Sequence, residues 1–273
     1  IEDLLSEKIG THPLALQEFE DLVFDNEFKD LILKIQAKTM GYDDKREFFI
    51  QKVSRHVGRI AAAFFPNEVC VRFSDYTSTD FKNLIGGDIY EPDEVNPFLG
   101  YRGAARLNYF DFSEAFELEC EAIRRVREDM GLSNVKVAIP FVRTIKEANR
   151  ILKKMSKFKL EQGKNGLEVK IVIDTPSNVM LIDEYSSMFD GILVNTFNLT
   201  QLTLGVYRYS IKTSRIFDIM EQSVLKMLTL AIDGAKKAGQ NVNIVGENKT
   251  FGKYLLETPD FIDFMVNSKA DSI

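Results

Sequence analysis

The chain has 273 residues, of which 45% are hydrophobic and 28% are charged, and its formal net charge is −6 at pH 7. This length fits one large α/β domain, and the composition is ordinary for a globular protein. The negative charge argues against nonspecific binding to nucleic acid, which depends on neutralising phosphates with lysine and arginine.

The cysteines and the hydropathy pattern bear on the cellular location. Cys70 and Cys120 are too few for a disulfide framework, so a reducing cytoplasm is expected. No apolar run approaches the roughly 20 residues that a membrane helix needs. Ile1-Glu-Asp3 starts neither the basic nor the apolar region of a signal peptide. We therefore expect a cytoplasmic protein without a membrane partner.

Predicted helices and strands alternate after a helical stretch over residues 14–65, which we interpret as an inserted excursion after a first strand. Serine-start and glycine-stop signals predict helices over 113–130 and 223–238, and a capping box from Thr144 to Glu147 predicts another. The predicted strands are short apolar runs of the kind buried on both faces of a parallel sheet. They are Val69–Asp75, Val135–Val142, Val169–Asp174, Gly191–Thr196 and Asn241–Gly246. The alternation implies parallel βαβ units, and pattern alone leaves a barrel and a doubly wound sheet open.

Polar residues follow several of these strands at their carboxyl ends, where parallel α/β folds carry their working groups. Arginine suits such a place because its planar fork grips carboxylate or phosphate, and a carboxylate beside it can hold a metal ion. From their spacing alone, it is equally plausible that these residues form such a site and that they are solvated loop residues. The residues selected are Arg72, Asp75, Arg143, Asp174, Asn195–Asn198 and Val245–Asn248.

A series of ordered segments carries a family resemblance over nearly the whole chain. Three of them are Val71-Arg-Phe-Ser-Asp75, Asn96-Pro-Phe-Leu-Gly-Tyr-Arg-Gly103 and Leu199-Thr-Gln-Leu-Thr-Leu-Gly205. Others are His12-Pro-Leu-Ala-Leu-Gln-Glu-Phe19, Tyr90-Glu-Pro-Asp-Glu94, Ile139-Pro-Phe-Val-Arg-Thr144 and Pro176-Ser-Asn178. In this order they resemble the phosphoenolpyruvate synthase family.

The resemblance implies a fold and a reaction. The fold is an α/β (β/α)8 TIM-type barrel, the phosphoenolpyruvate/pyruvate domain, over residues 1–273, with 14–65 as its helical insertion. Its first and last strands are expected to be incomplete, the last one only beginning at Ala270-Asp-Ser-Ile273. In the family this barrel binds pyruvate and Mg²⁺ and receives a phosphoryl group to give phosphoenolpyruvate. The ATP-grasp and phosphohistidine regions that precede it are not visible here, so ATP would act only through domains outside these residues.

The resemblance also assigns site residues. Arg72, Arg102 and Arg208 match arginines that face the substrate at the mouth of the barrel. Thr196 matches a Ser/Thr of the substrate-binding segment. Asp174 stands where the family has a glutamate that ligates Mg²⁺.

Three departures from the family lie in the same site. Asn198 replaces a second metal-ligating aspartate, Phe197 replaces an asparagine that contacts substrate, and Val245 replaces the cysteine that exchanges a proton with the substrate methyl carbon. A positioned acid–base group contributes roughly 10²- to 10⁴-fold, and valine cannot transfer a proton. We therefore name no catalytic residue, and we expect Mg²⁺ binding through Asp174 and Asn198 to be weakened or lost.

Three functional hypotheses remain open at this point. The first is an impaired or altered barrel that still binds a phosphoenolpyruvate- or pyruvate-like anion. The second is a working synthase domain that converts ATP, pyruvate and water to phosphoenolpyruvate, AMP and phosphate. The third is a non-catalytic module that pairs with an active paralogue. The resemblance also implies a homodimer formed through the barrel.

Overall fold

The computed structural model of the chain describes residues 1–245 and 259–272. By their internal contacts these residues fall into two units, which are described separately. Unit one comprises Ile1–Val137 and Glu147–Leu167, and unit two comprises Ala138–Lys146 and Glu168–Ile273 within the described residues.

Helices dominate unit one. Its strands are β1 (Val69–Arg72) and the first part of β2 (Val135–Ile139). Its helices are α1 (Glu2–Leu4), α2 (Pro13–Gln17), α3 (Phe19–Val23), α4 (Lys29–Lys38), α5 (Lys45–Phe64), α6 (Ser78–Lys82), α7 (Gly87–Tyr90), α8 (Gly103–Asn108), α9 (Ser113–Glu128) and most of α10 (Ile145–Lys157). A π-helical turn, Leu5–Ile9, joins α1 to the rest, and short 3-10 turns span Asn26–Phe28 and Lys164–Gly166.

Helix α5 packs against α9 to form the core of unit one. Asp44 caps α5 because its carboxylate accepts the Arg46 amide at 2.8 Å, satisfying a donor that the helix leaves open. On the inner face, Phe49 and Val53 are fully buried. Between the helices, the Arg125 Nη2 donates to Glu47 Oε2 at 2.9 Å.

A parallel sheet forms the centre of unit two. It contains the end of β2, β3 (Val169–Ile173), β4 (Gly191–Asn195) and β5 (Val242–Val245). Strands β3, β4 and β5 pair in parallel, with Val172 opposite Leu193 and Asn195 opposite Val245. The helices of this unit are α11 (Pro176–Met180), α12 (Ile182–Met188), α13 (Thr196–Leu204), α14 (Gln222–Lys237) and α15 (Pro259–Asn267), with a 3-10 turn at Ser214–Ile216.

The core of the sheet in unit two is formed by alternate β-strand positions. Ala138, Val172 and Leu193 pack together, and Val245 packs against them. Every residue of β3 and β4 is buried, Lys170 included, as predicted from their short apolar runs.

Beyond α15 the chain returns to the edge of β5. The Asp271 amide donates to the Val242 carbonyl, and the Ile244 amide donates to the Ser272 carbonyl, both at 2.9 Å. This parallel bridge agrees with a further strand that begins near the end of the sequence.

The prediction of an α/β fold with parallel strands is confirmed, and so is the helical character of residues 14–65. Closure into a (β/α)8 barrel, and the assignment of residues 1–273 to one domain, stay predictions. None of the helices within residues 1–245 and 259–272 has the length and apolar character needed to cross a membrane.

The helices predicted over 113–130 and 223–238 are confirmed, since α9 begins at Ser113 and α14 begins at Gln222. The residue before α9 is Phe112, which makes no side-chain capping hydrogen bond. Ser223 lies inside the first turn of α14, which follows Glu221. Cys70 is exposed on β1, because that short strand is only partly covered.

Candidate functional site

A chain of three buried polar side chains lies at the carboxyl ends of the strands in unit two. Asn198 Nδ2 donates to Asp174 Oδ1 at 2.7 Å, and Arg208 Nη1 donates to Asn198 Oδ1 at 3.2 Å. Asp174 follows β3, Asn198 lies in the first turn of α13, and Arg208 follows that helix. The structure therefore brings three of the predicted site residues together.

The two neighbours of Asn198 determine the orientation of its amide group. A carboxylate accepts hydrogen bonds only, and a guanidinium donates only. The amide nitrogen must face Asp174 and the amide oxygen must face Arg208, since the opposite rotamer would set acceptor against acceptor and donor against donor. Asn198 thus connects an anion to a cation without carrying a charge itself.

The backbone after β2 supports Asp174 from a second side. The Phe141 amide donates to Asp174 Oδ2 at 2.7 Å. Phe141 has a φ of 49°, a left-handed conformation that is rare for an aromatic residue. Residues held in such conformations cluster at functional sites. Its ring lies 4.6 Å from the guanidinium carbon of Arg143, so the same turn also carries a predicted site arginine.

Asn178 fixes the turn that follows Asp174. Its Oδ1 accepts the backbone amides of Asp174 and Thr175 at 3.2 and 3.1 Å, and its Nδ2 donates to the Val142 carbonyl at 2.7 Å. Together these contacts tie the turn after β3 to the turn after β2. Asn178 belongs to the segment Pro176-Ser-Asn178 of the family resemblance, from which no role is predicted for it.

Helix α13 begins at this site because Asn195 caps it. Asn195 Oδ1 accepts the amides of Phe197 and Asn198, each at 3.2 Å. The Thr196 hydroxyl, predicted to contact substrate, donates to the Val245 carbonyl at 3.4 Å. Phe197 is nearly buried and stacks on Phe217, with ring centroids 5.9 Å apart. An apolar pair therefore occupies the position predicted from the resemblance for a substrate-contacting amide.

In this arrangement Asn198 does not offer an oxygen ligand for Mg²⁺ beside Asp174. Mg²⁺ requires oxygen ligands in near-octahedral geometry, whereas Asn198 presents its amide nitrogen to the carboxylate. Turning the amide to offer oxygen would point its hydrogens at the Arg208 guanidinium. Within the part of the chain that the structure describes, no cluster of three or more His, Cys, Asp or Glu residues could hold a metal ion.

In unit one, the predicted arginine Arg72 ends β1 and contacts Glu2. Its Nη2 donates to Glu2 Oε1 at 3.0 Å, and the same oxygen accepts the Asp75 amide at 2.9 Å. The pKa of Glu2 lies below its usual value: burial opposes this, but the nearby Arg72 charge and two backbone hydrogen bonds outweigh it.

Arg102, the other predicted arginine of unit one, forms a buried ion pair with Asp75. Its Nε donates to Asp75 Oδ1 at 3.0 Å and its Nη2 to Oδ2 at 2.6 Å. Side-chain exposure is 8% for Arg102 and 2% for Asp75, so the pair is shielded from water. This bidentate geometry is the arrangement in which arginine binds a carboxylate most strongly.

A buried acid also lies beneath the end of β1, and sequence reasoning missed it. Glu119 of α9 accepts the Ser74 amide at 3.1 Å and the Ser74 hydroxyl as well. Burial raises the pKa of Glu119 to about 7, although the hydrogen bonds from Ser74 oppose the shift. The signal in the sequence was a glutamate at an inward-facing helical position of α9.

Val245 ends β5. Its side chain packs against the core of the sheet, and its carbonyl accepts a hydrogen bond from the Thr196 hydroxyl. The rest of the predicted segment, Gly246–Asn248, lies outside the described residues. The roles assigned to all these site residues stay predictions.

Comparison with known proteins supplies the family. Residues 34–255 match the family model described as PEP-utilising enzyme, PEP-binding domain. The phosphoenolpyruvate synthase of Aquifex aeolicus (strain VF5) is 43% identical over 245 residues, which cover 90% of this chain and 28% of that protein. That of Escherichia coli (strain K12) is 40% identical over 261 residues, covering 94% and 32%. That of Helicobacter pylori (strain ATCC 700392 / 26695) is 40% identical over 276 residues, covering 100% and 32%.

The chain spans about a third of the length of these curated relatives. The similarity therefore concerns one domain of a phosphoenolpyruvate synthase and not the whole protein. The family model, in contrast, covers most of this chain. The chain belongs to the PEP-utilising enzymes and corresponds to their PEP-binding domain.

Proposed function

We propose that the chain is the PEP-binding (β/α)8 barrel of a phosphoenolpyruvate synthase-like protein that binds a small anion with weakened or lost Mg²⁺ binding and impaired phosphoryl transfer. The anion is phosphoenolpyruvate or a pyruvate-like carboxylate. The observation that carries the proposal is the position of the Asn198 amide between Asp174 and Arg208.

The arginine at this position supports anion binding. Arg208 Nη1 donates to the Asn198 amide oxygen at 3.2 Å, which places the guanidinium at the carboxyl ends of the strands. Arginine can grip a carboxylate or phosphate through two parallel hydrogen bonds. The Asp174 carboxylate is stabilised by N–H donors from Asn198 and Phe141. These donors stabilise the carboxylate in the described contacts.

The same geometry supports weakened metal binding and impaired chemistry. One acidic ligand, Asp174, replaces the pair of carboxylates that the resemblance predicts, and an amide hydrogen bond takes the place of the second. Val245 offers no proton at the position assigned to a cysteine. Phe197 and Phe217 add an apolar wall where a polar contact is predicted.

Calorimetry with and without Mg²⁺ tests the binding. We expect wild type to bind phosphoenolpyruvate or oxalate with an affinity that does not change when Mg²⁺ is added. Asn198→Asp should make the affinity rise with Mg²⁺, because it restores a second carboxylate. Asn26→Asp, the same change at an exposed residue of unit one, serves as the control and should behave as wild type.

Two results would contradict this proposal. Wild-type affinity that rises tenfold or more with Mg²⁺ would show that the metal site is intact. Absence of binding for both anions would remove the binding function and favour an interaction module. Mg²⁺-dependent exchange of the pyruvate methyl protons with solvent, measured in the full-length protein, is expected to be weak or absent. Rapid exchange there would show a working synthase domain.

A further inference from the structure

A cavity of about 540 Å³ lies in unit one, beside the loop that leads into β2. None of the site residues discussed above lines it. Its wall includes four cationic side chains, Arg124, Arg127, Lys159 and Lys164, and two acidic ones, Glu128 and Glu161. The cavity volume falls within the range of small-molecule sites, roughly 300–1,000 Å³. A surplus of positive charge in a chain of net charge −6 indicates a local preference for anions.

Hydrogen bonds to backbone carbonyls fix the wall that carries Lys164. Arg127 is almost buried; its Nη1 donates to the Ser133 carbonyl at 2.7 Å, and its Nη2 to the Asn165 carbonyl at 2.8 Å. The Gly163 amide donates to the Leu167 carbonyl at 2.8 Å, which closes the loop on itself. A ligand that meets Lys164 here would meet a preformed wall and would order little backbone on binding.

Lys159 occupies a position where glycine is the usual residue. The Leu160 amide donates to the Met155 carbonyl and the Lys159 amide to the Ser156 carbonyl, both at 3.0 Å, which is the Schellman motif that ends α10. Lys159 is the left-handed residue of this motif, with a φ of 63°. A lysine here has a conformational cost that glycine avoids, and strained residues of this kind cluster at ligand sites.

We propose that this cavity binds a small, multiply charged anion of the phosphate class, with Lys159 and Lys164 as its principal contacts. A lysine ammonium group binds phosphate as a point charge, whereas arginine binds carboxylate or phosphate through two parallel hydrogen bonds. Of the two acids, Glu128 lies 3.5 Å from Arg124, and the two charges partly offset each other. Glu161 is exposed at the wall and opposes an anion, which limits the affinity. The site goes beyond the proposed function and does not depend on it.

Calorimetric titration of the whole chain with pyrophosphate at low ionic strength tests the site. Lys159→Gly and Lys164→Gln should each weaken the affinity by about three- to tenfold, the range for removing one partly exposed charge. Glu161→Gln should strengthen it. Added salt should weaken binding in wild type because the charges are accessible to solvent.

The variants are chosen so that misfolding cannot imitate the result. Lys159→Gly relieves the left-handed backbone, so its melting temperature should equal or exceed that of wild type while binding falls. Lys34→Gln, at an exposed lysine of α4, should leave pyrophosphate binding unchanged. Equal affinities in wild type, Lys159→Gly and Lys164→Gln overturn the proposal. So does pyrophosphate binding that is lost in Arg208→Met and kept in Lys159→Gly, since the anion would then bind at the other site.

Discussion

Asn198 donates its side-chain amide to the Asp174 carboxylate at 2.7 Å, and both residues are buried. With an aspartate at 198, two carboxylates would face each other at this distance. Like charges so close cannot both ionise without a cation between them or a strongly raised pKa. We therefore expect an aspartate at 198 to make the stability of this site depend on a metal ion.

The first prediction concerns Asn198→Asp. Without Mg²⁺ the substitution should lower the free energy of unfolding by about 1–3 kcal/mol, because it exchanges a hydrogen bond for a buried repulsion. Millimolar Mg²⁺ should recover part of that loss, since a ligand that binds only the folded state stabilises it. Thermal and urea unfolding with and without Mg²⁺ measure both effects. A variant as stable as wild type in the absence of Mg²⁺ would contradict the argument.

The fold was largely predictable because its signals are local. Strands β3 and β4 are short apolar runs with polar residues after them, and α9 and α14 end near Gly131 and Gly239. Both glycines adopt a positive φ, as their stop signals implied. The exact starts were less predictable, since neither N-cap residue, Phe112 nor Glu221, makes a side-chain capping hydrogen bond.

The candidate site was predictable as a set of positions but not as a set of contacts. The strand-end rule selected Asp174 and Asn198, which lie together. It could not show that the Asn198 amide nitrogen, rather than its oxygen, faces the carboxylate, because that depends on Arg208. Nor could it pair Arg102 with Asp75, since the two are distant in sequence and meet only through the fold.

The second prediction concerns the buried pair of Arg102 and Asp75. Arg102→Met should cost about 3–5 kcal/mol of stability, because it leaves the Asp75 carboxylate buried without its guanidinium partner. Arg124→Met removes an arginine that is 30% exposed and should cost about 1 kcal/mol or less. Urea unfolding compares them. The double variant Arg102→Met/Asp75→Leu should be less destabilised than the sum of the single changes. Additive losses would argue against the pair.

The third prediction tests the apolar wall formed by Phe197 and Phe217. Phe197→Ala should destabilise the chain by about 3–5 kcal/mol, since it leaves a cavity in a nearly buried position. Phe217→Ala should cost less, because that ring is only half-buried. If both losses are equally small in urea unfolding, the stack contributes little and the ring of Phe197 is available to move for a ligand.

The protonation of Glu119 links the stability of the chain to pH. Its pKa in the folded chain is about 7, against 4.5 as the ordinary value, because burial disfavours the charged carboxylate. Below pH 4.5 the folded and unfolded states both hold the proton. Between pH 4.5 and 7 the unfolded state releases it while the folded state keeps it. Stability contributed by this group is therefore lost as the pH rises through that window.

The fourth prediction follows from that sign. The free energy of unfolding of wild type, relative to Glu119→Gln, should fall as the pH rises from about 4.5 to 7 and then level off. Glutamine keeps the size and a hydrogen bond to Ser74 but has no proton to release. Glu114→Gln, an exposed change on the same helix, should keep the wild-type pH profile. Parallel profiles for wild type and Glu119→Gln, measured by urea unfolding at several pH values, would place the Glu119 pKa near its ordinary value. The Glu119 carboxylate would then be charged at neutral pH, where it accepts the Ser74 amide close to the end of β1.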